Sequence, residues 1–521
     1  METFDRLNNP ETRLLSLQWR FWCFAALALA ILMLILFSIF SPNRPVSYSD
    51  DLEHFYYGSI GSDISGGLPV KVLRVLPEMF PEYLPEGAVA DYTAFGFIQQ
   101  PGHAMPIGFS TRRQLIDLTS INCGTCHTGS VRESPSDDPL IIAGMPANTV
   151  DLLSFFKFLF QCAGDERFNT AKIYAKMKEK GLTSIGDRLI YANVVPLMKN
   201  GLLERKAKLD FVLQDDYPKF GPGRVNTFDT FKYDQFAYYY HKHGQTIDPD
   251  EIFGIVDFTS VWNQGAREGL SLHWDGNNDS VFERNFSAAI GAGATPRDMD
   301  IPRLTRIKEW LDELPPPTYP FDINDAAAMR GKPIYEQLCA SCHSFEGAEV
   351  GQVVDISEIQ TDRSRLDSYT QFLKEAQQDY TGGHWWSFTH FKKTNGYANQ
   401  PLDGIWARAP YLHNGSVPNM WTLLTPEDRP VAFTLGNDVY DQQDMGFKHR
   451  HLQLFPQDDS KFANREGDEY LGTEFVLDTR LKGNGNQGHV GKEYGTELSP
   501  EEKRDLIEFL KWQDKPREQK K

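Results

Sequence analysis

The sequence predicts a mainly α fold in which two domains follow one N-terminal transmembrane helix. The chain has 521 residues, which is more than one hydrophobic core usually organises. Residues 21–40 form an uncharged apolar run. The hydrophobic periodicity of the remaining chain is largely helical, and strands are expected to be few and short. A composition of 40% hydrophobic and 24% charged residues is that of a globular protein.

The apolar run reads FWCFAALALAILMLILFSIF, twenty positions without a charge. As a helix it would match the roughly 30 Å hydrocarbon core of a bilayer. Arg6, Arg13 and Arg20 precede it and acidic residues follow it, so the positive-inside rule places the N-terminus in the cytoplasm. A cleaved signal peptide is the alternative, but the run exceeds an ordinary signal core and no small-residue cleavage site follows. We therefore expect a single-pass protein of the cytoplasmic (inner) membrane with its domains in the periplasm.

Helix signals and a proline-rich run define the organisation of the rest. Helices are predicted at 148–164, 169–180, from about 185 through a break at Pro196, at 304–314, at 325–338, and after a capping box at Ser499. The run LPPPTYP after the fourth helix is typical of a linker. The predicted segments are a cytoplasmic stretch at 1–20, the anchor at 21–40, an irregular extracytoplasmic stretch at 41–110, an N-terminal domain at 111–314, a linker at 315–322 and a C-terminal domain at 323–521.

The charge pattern bears on possible partners. A formal net charge of -18 with no Lys/Arg-rich run argues against binding to nucleic acid. An acidic surface could attract a basic redox protein, or it could be only a solvated face. The sequence leaves both interpretations open.

Two segments with the pattern Cys-x-x-Cys-His, at 123–127 and 339–343, carry four of the six cysteines. In c-type cytochromes the two thiols bond to the haem and the adjacent histidine binds the iron. A zinc ribbon would place its cysteine pairs closer together, and a redox disulfide would leave both histidines unexplained. We therefore predict two covalently bound haem c groups with their iron, in two cytochrome-c-like haem domains. The predicted attachment residues are Cys123, Cys126, Cys339 and Cys342, and the predicted iron ligands are His127 and His343.

Further motifs carry a family resemblance. The first half contains CHTG at 126–129, IAGMP at 142–146, GRVN at 223–226 and HWDGN at 273–277, with Arg284 and Asn285 downstream. The second half contains RAPYLHNGSVP at 408–418 and GNGNQGH at 483–489. From about residue 110 to the end, the chain resembles the di-haem cytochrome c peroxidase superfamily, specifically its rubber-oxygenase-like branch. The resemblance implies two haem domains, helices around each haem and a short path between the haems. The peroxidases' distal acid/base residues have no match near the first haem.

The sixth ligand of each iron separates an electron-transfer haem from a reactive one. For the C-terminal haem, the resemblance implies His489 as the distal ligand, and Met445 is the alternative. For the N-terminal haem no equally clear ligand is present. His273 and Trp274, in the family-like block, are candidate catalytic residues or simply core aromatics.

Two arginines and two tryptophans are weaker candidates. Arg408 and Arg284 could pair with haem propionates, because guanidinium binds carboxylates in a bidentate manner, or they could form ordinary ion pairs. Trp385 and Trp386 could lie on an electron path or could serve packing alone.

The sequence thus predicts a membrane-anchored, extracytoplasmic di-haem oxidoreductase. Electrons would pass from a donor through the C-terminal haem to a reactive N-terminal haem, in a peroxidase-like reaction. The alternatives are a rubber-oxygenase-like haem dioxygenase, and a pure electron-transfer cytochrome or haem subunit of a membrane complex. The expected partners are an electron-donor redox protein or a quinol-linked complex, a small oxidant such as peroxide or oxygen, and the membrane.

Overall fold

The computed structural model describes residues 19–33, 44–214, 217–455, 458–464 and 469–513. Helix accounts for 43% of the chain and strand for 12%. The prediction of few strands was wrong, because sixteen short strands form small antiparallel sheets within these ranges. The fold is therefore a helical assembly supported by many short β-ladders, each too small to show a clear alternating pattern in the sequence.

The predicted transmembrane anchor is contradicted. The first described residues, 19–33, are helical. No helix in the described part of the chain is both long and apolar enough to cross a membrane. The prediction of a single-pass protein of the cytoplasmic membrane was therefore wrong. Residues 34–40 of the predicted span lie outside the described residues.

The first half of the chain, up to the proline-rich run, contains most of the helices. The α-helices are Asp51–Tyr57, Ser62–Ser65, Val70–Leu73, Leu76–Met79, Cys123–Cys126, Leu152–Gly164, Thr170–Glu179, Asp187–Lys208, Thr227–Thr230, Ala237–Lys242, Val281–Gly291 and Ile301–Glu313. A π-helix covers Phe231–Gln235, and 3-10 helices cover Pro81–Tyr83, Tyr92–Phe95, Asp210–Leu213, Pro249–Phe253 and Gly265–Arg267. One sheet orders Arg44–Pro45, Arg112–Arg113, Asp117–Thr119 and Leu68–Pro69, while Thr128–Val131 pairs with Leu140–Ala143 and Arg224–Val225 pairs with Val256–Asp257.

The second half has fewer helices and a larger sheet. Its α-helices are Asp325–Leu338, Ala340–His343, Ile356–Ile359, Ser364–Ser368, Gln371–Thr381, Met420–Leu424 and Pro500–Trp512, with 3-10 helices at Ile405–Arg408, Pro426–Asp428 and Lys492–Tyr494. One sheet orders Asp458–Ala463, His451–Phe455, Ala432–Leu435 and Phe475–Asp478, while Val353–Asp355 pairs with Gly396–Ala398 and Tyr440–Asp441 pairs with Gly446–Phe447.

The long helices lie close to their predictions, although the helix predicted from 148 begins at Leu152 after Asp151 and one predicted interruption is absent. The helix Thr170–Glu179 begins after Asn169, and Pro500–Trp512 begins with the predicted capping box, so both predictions are confirmed. The break predicted at Pro196 was wrong, because Asp187–Lys208 is one helix with the proline inside it. Its buried face packs into the first core, and that burial outweighs a proline cost of about 3 kcal/mol.

Three large hydrophobic cores organise the molecule. The first surrounds the aromatic helix Leu152–Gly164. The second joins Phe286 and Leu304 to Leu373 and Trp386, and the third surrounds Trp406. The second and third cores thus contain residues from both sides of the proline-rich run. The domain boundaries stay a prediction.

Two helices hold the second Cys-x-x-Cys-His motif in place. Asp325–Leu338 packs against Pro500–Trp512 at Gly331, where a Cβ atom would lie 2.0 Å from the Asp505 carbonyl oxygen. Only glycine permits so close a helix contact. Arg330 and Asp505 form a salt bridge at 2.6 Å at the same crossing. The motif begins directly after the first of these helices, so the crossing fixes its position.

Candidate haem-binding sites

The first motif forms a single helical turn. The helix Cys123–Cys126 begins after Asn122, whose side-chain oxygen accepts a hydrogen bond from the Gly124 amide at 2.9 Å. Gly108 has φ +92° and supports the turn closely, since a Cβ atom there would lie 2.4 Å from Thr125 Oγ1. This glycine is therefore required both by its backbone angle and by the contact.

His127, which follows the turn, is oriented by a backbone acceptor. Its Nδ1–H donates to the Thr259 carbonyl at 2.7 Å, which leaves Nε2 with its lone pair. Burial, and secondarily the charge of Arg284, lowers the pKa of His127 to about 4. A neutral imidazole whose other nitrogen is held by a hydrogen bond is the usual form of a histidine metal ligand.

The two thiols and His127 line a cavity of about 300 Å³. This volume is at the lower end of the range of about 300–1,000 Å³ for small-molecule and cofactor pockets. Apolar side chains form much of its wall, among them Phe109, Leu152, Phe155, Phe156, Leu159 and Phe391. An apolar pocket beside both thiols and a free imidazole nitrogen fits a covalently attached haem.

A zinc site would need further ligands beside the two thiols. Burial raises the pKa of Cys123 to about 11 and of Cys126 to about 12. Within the described ranges, no group of three or more His, Cys, Asp or Glu side chains could hold a metal ion.

Arg284 places a buried positive charge on this cavity. Its guanidinium Nη2 donates to Thr259 Oγ1 at 3.3 Å, and no carboxylate in the described part of the chain forms a salt bridge with it. Burial lowers its pKa to about 10. A buried cation is costly without a counter-ion, so a haem propionate would complete this environment.

Trp274 and His273 line the same cavity. The Trp274 indole donates to the Asp257 carbonyl at 3.0 Å. The His273 ring is bonded through Nδ1 to Asn277 Oδ1 at 2.6 Å, and burial, followed by Arg284, lowers its pKa to about 4. The structure thus brings these two candidates to the cavity beside His127, and their catalytic role stays a prediction.

The histidine of the second motif, like that of the first, is held by a backbone carbonyl. His343 ends the helix Ala340–His343, and its Nδ1–H donates to the Gln400 carbonyl at 2.7 Å. Burial lowers its pKa. Arg408 lies in the same region and contacts the Asp403 carboxylate at 2.7 Å and the Pro401 carbonyl at 2.9 Å. It thereby supports the loop that orients His343, and its predicted contact with a propionate stays a prediction.

The His489 side chain lies next to His343 of the second motif. The ring centroids of His343 and His489 are 6.4 Å apart, with 41° between the ring planes. An iron atom held between two imidazoles by bonds of about 2 Å would separate the ring centroids by about 6 Å. The spacing would allow both histidines to hold a haem iron, and the role of His489 as the distal ligand stays a prediction.

Hydrogen bonds from the motif at 408–418 and from Arg429 hold the loop at 483–489 in place. Asn414 Nδ2 donates to the carbonyls of Gly483 at 3.1 Å and Gly485 at 2.9 Å. The Arg429 guanidinium donates to the Gly488 carbonyl at 2.9 Å. The segments 408–418 and 483–489, far apart in sequence, thus form one structural unit that presents His489.

The remaining candidates lie elsewhere. Met445, the alternative ligand, is fully buried in the third core. Trp386 is buried in the second core, whereas Trp385 is 77% exposed. Sequence reasoning missed the groups that orient the histidines, Thr259, Gln400, Asn277 and Arg429. Two of these act through backbone carbonyls, which every residue has, so no sequence signal could have identified them.

Comparisons with known proteins point to a cytochrome c-like family. Residues 396–434 match a family described as RoxA-like, cytochrome c-like. The match supports the rubber-oxygenase-like cytochrome family at a coarse level, haem c as the cofactor, and a role in haem-dependent oxidoreduction or electron transfer. The wider peroxidase superfamily and the number of haems stay predictions.

Two proteins of Sinorhizobium fredii (strain NBRC 101917 / NGR234) are similar to the chain. The uncharacterized protein y4iM is 30% identical over 288 residues, which cover 49% of this chain and 64% of y4iM. The uncharacterized protein y4iJ is 23% identical over 533 residues, which cover 80% of this chain and 83% of y4iJ. The alignment thus spans less than two thirds of the length of y4iM.

Proposed function

We propose that the protein is a di-haem c-type cytochrome that reduces a small oxidant, peroxide, with electrons from a donor protein. One haem would be attached at each Cys-x-x-Cys-His motif. The observation that carries the proposal is the difference between the two iron positions. The ring centroids of His343 and His489 are 6.4 Å apart, whereas His127 makes no such contact with another histidine ring among the described residues.

The ligand sets support different roles for the two sites. When bound, haem supplies an iron that exchanges single electrons and, with an open position, binds small ligands. His343 and His489 would hold the iron from both faces, which suits electron relay. His127 would hold the other iron from one face, and no second histidine ring among the described residues lies against it as His489 lies against His343.

Hydrogen bonds within the protein hold the two motif histidines in position without a bound ligand. Thr259 and Gln400 accept hydrogen bonds from the two motif histidines and so fix the ring that meets each iron. Aromatic side chains line part of the cavity, and Arg284 would supply the positive charge that a buried propionate requires.

The charges around the second motif support a choice of donor. Glu349 places a carboxylate oxygen 3.0 Å from Cys342 Sγ. Glu358 is a second carboxylate close to this motif. Because complementary charge guides the encounter of redox proteins, a donor with a basic face is the partner that we infer.

Ligand titration tests the proposal. The purified haem-loaded protein is titrated with cyanide, peroxide and oxygen and followed by optical and electron paramagnetic resonance spectroscopy. One haem should respond and the other should remain low spin. Steady-state assays with a reduced donor cytochrome should then show peroxide-dependent oxidation of the donor. Two six-coordinate irons that ignore all three ligands would contradict the proposal and leave an electron-transfer cytochrome.

A haem dioxygenase is the second candidate, because the family match is RoxA-like and the cavity wall is largely apolar. A stable dioxygen adduct without peroxidase turnover in the same titration would favour it. Turnover of the donor with peroxide would favour the first proposal.

A further inference from the structure

The helical hairpin at 170–208 exposes apolar side chains to solvent. Its two helices, Thr170–Glu179 and Asp187–Lys208, pack against each other. Ile185, in the connecting turn, is fully exposed, and Leu189 and Leu197 on the second helix are 78% and 71% exposed. The same helix buries another set of side chains in the first core, Tyr191, Val195, Met198 and Leu202. It is therefore apolar on two faces, of which the described part of the chain covers one.

Hydrogen bonds hold the turn that presents Ile185. The Asp187 carboxylate accepts a hydrogen bond from the Ser184 amide at 2.7 Å and forms a salt bridge with Lys71 Nζ at 2.7 Å. Gly186 has φ +91°, which glycine adopts without strain. The fold itself therefore keeps Ile185 at the surface.

The hairpin is basic in an acidic protein. Residues 172–208 contain nine Lys or Arg and three Asp or Glu, whereas the whole chain has a formal net charge of -18. Lys172, Lys178 and Arg188 are exposed and form no salt bridge with another described residue. Cations beside exposed aliphatic side chains favour a binding surface that is both anionic and apolar.

The residue types distinguish a lipid surface from a protein partner. Protein interfaces are enriched in aromatic residues, Met and Arg and depleted in Lys, whereas this surface combines Ile and Leu mainly with Lys. With more than 70% of each side chain exposed, Ile185, Leu189 and Leu197 protrude from the hairpin. Protruding aliphatic side chains can enter the boundary between lipid headgroups and acyl chains, while lysines contact anionic headgroups.

We propose that the hairpin at 170–208 binds the surface of a bilayer that contains anionic lipids. The three exposed aliphatic side chains enter the headgroup boundary, and the three exposed cations contact lipid phosphates. Such a peripheral contact needs no membrane-spanning helix. It is also independent of the chemistry at the haems.

Lysine labelling locates the contact. The haem-loaded, full-length protein is acetylated with and without vesicles of equal parts phosphatidylcholine and phosphatidylglycerol, and the modified peptides are quantified by mass spectrometry. Acetylation of Lys172 and Lys178 should slow on these vesicles and should not slow on vesicles of phosphatidylcholine alone. Lys332, an exposed lysine on the helix Asp325–Leu338, should be acetylated at the same rate throughout.

A pair of substitutions measures the apolar part of the contact. Leu189→Gln combined with Leu197→Gln removes aliphatic surface at exposed positions, where substitutions cost little stability. The constant for binding to the anionic vesicles should fall by about tenfold. Met329→Gln, at a residue 56% exposed on another helix, is the matched control and should bind as the wild type does.

A second pair measures the electrostatic part. Lys178→Gln combined with Arg188→Gln removes two of the exposed cations, and the same binding constant should again fall by about tenfold. Lys332→Gln is the matched control for charge and should bind as the wild type does. Added salt should weaken the binding of the wild type more than that of the charge variant.

Three outcomes would overturn the proposal. One is the absence of binding to the anionic vesicles. Another is unchanged acetylation of Lys172 and Lys178 on vesicles that do bind the protein, because the membrane contact would then lie elsewhere. The third is protection of these lysines that rises with protein concentration in the absence of vesicles, which would assign the hairpin to contact between two copies of the chain.

Discussion

The imidazole rings of His343 and His489 lie 6.4 Å apart although they come from opposite ends of the C-terminal half. Gly488, with φ +85°, allows this approach. A Cβ atom there would lie 2.5 Å from the Thr361 amide and 2.6 Å from the Ile359 carbonyl oxygen. The His489 amide also donates to that carbonyl at 3.0 Å. The loop therefore lies against the 359–361 turn in a way that only glycine at 488 permits.

Removal of the distal imidazole should change the spin state of the C-terminal haem. His489→Ala leaves His343 and both thiols in place, so the haem should stay attached while its iron becomes high spin. Electron paramagnetic resonance and the Soret band would report the change. The control is Met445→Leu, a conservative change in the third core, which should keep the low-spin signal. A low-spin signal that survives in His489→Ala would assign the sixth position to another residue.

The number and attachment of the haems can be measured directly. Because thioether bonds survive denaturation and iron coordination does not, the protein produced with c-type maturation should retain two haems after acid-acetone extraction. Cys123→Ala and Cys342→Ala should each impair attachment at one motif. Mass spectrometry of the intact chain provides the count. Extractable haem, or a single haem in the unmodified protein, would be the contrary result.

Arg284 should tune the redox potential of the N-terminal haem. Loss of a buried positive charge disfavours the added electron, so Arg284→Gln should lower the potential by a free energy on the order of 1 kcal/mol. Spectroelectrochemical titration would resolve the two haems. The C-terminal haem of the same variant is the internal control and should move less. Equal shifts at both haems would indicate a general structural effect instead.

Asp229 should make stability depend on pH. Burial raises the pKa of its carboxyl from 3.8 to about 7, and Tyr217 donates to it at 2.7 Å. A raised folded-state pKa means that the folded chain holds the proton more tightly. Its contribution to stability is therefore complete below about pH 4 and is lost as the pH rises towards 7.

Asp229→Asn removes this titration and keeps the shape of the side chain. The free energy of unfolding, measured with urea between pH 5 and 7, should fall less steeply in the variant, by on the order of 1 kcal/mol per pH unit. Asp210→Asn, at an exposed carboxylate, is the matched control and should retain the wild-type slope. Parallel slopes in the wild type and Asp229→Asn would contradict the prediction.

Some features could be predicted from sequence because they depend on neighbours along the chain. The capping box at Ser499 and the helix after Asn169 are local hydrogen-bond patterns, and both formed as predicted. The Cys-x-x-Cys-His motifs are local as well, and they predicted haem c, which the family match supports. Where tertiary burial competed with a local signal, as at Pro196, the local prediction was wrong.

What only the tertiary structure decided is how distant segments meet around each motif. By itself, the sequence predicted which residues bind haem, because attachment needs two thiols and a histidine on one turn. It did not determine that Thr259 and Gln400 orient the two histidines, or that His127 and His273 share one cavity. Those contacts depend on backbone carbonyls and on the packing of segments far apart in sequence, and neither leaves a periodic or compositional pattern in the chain.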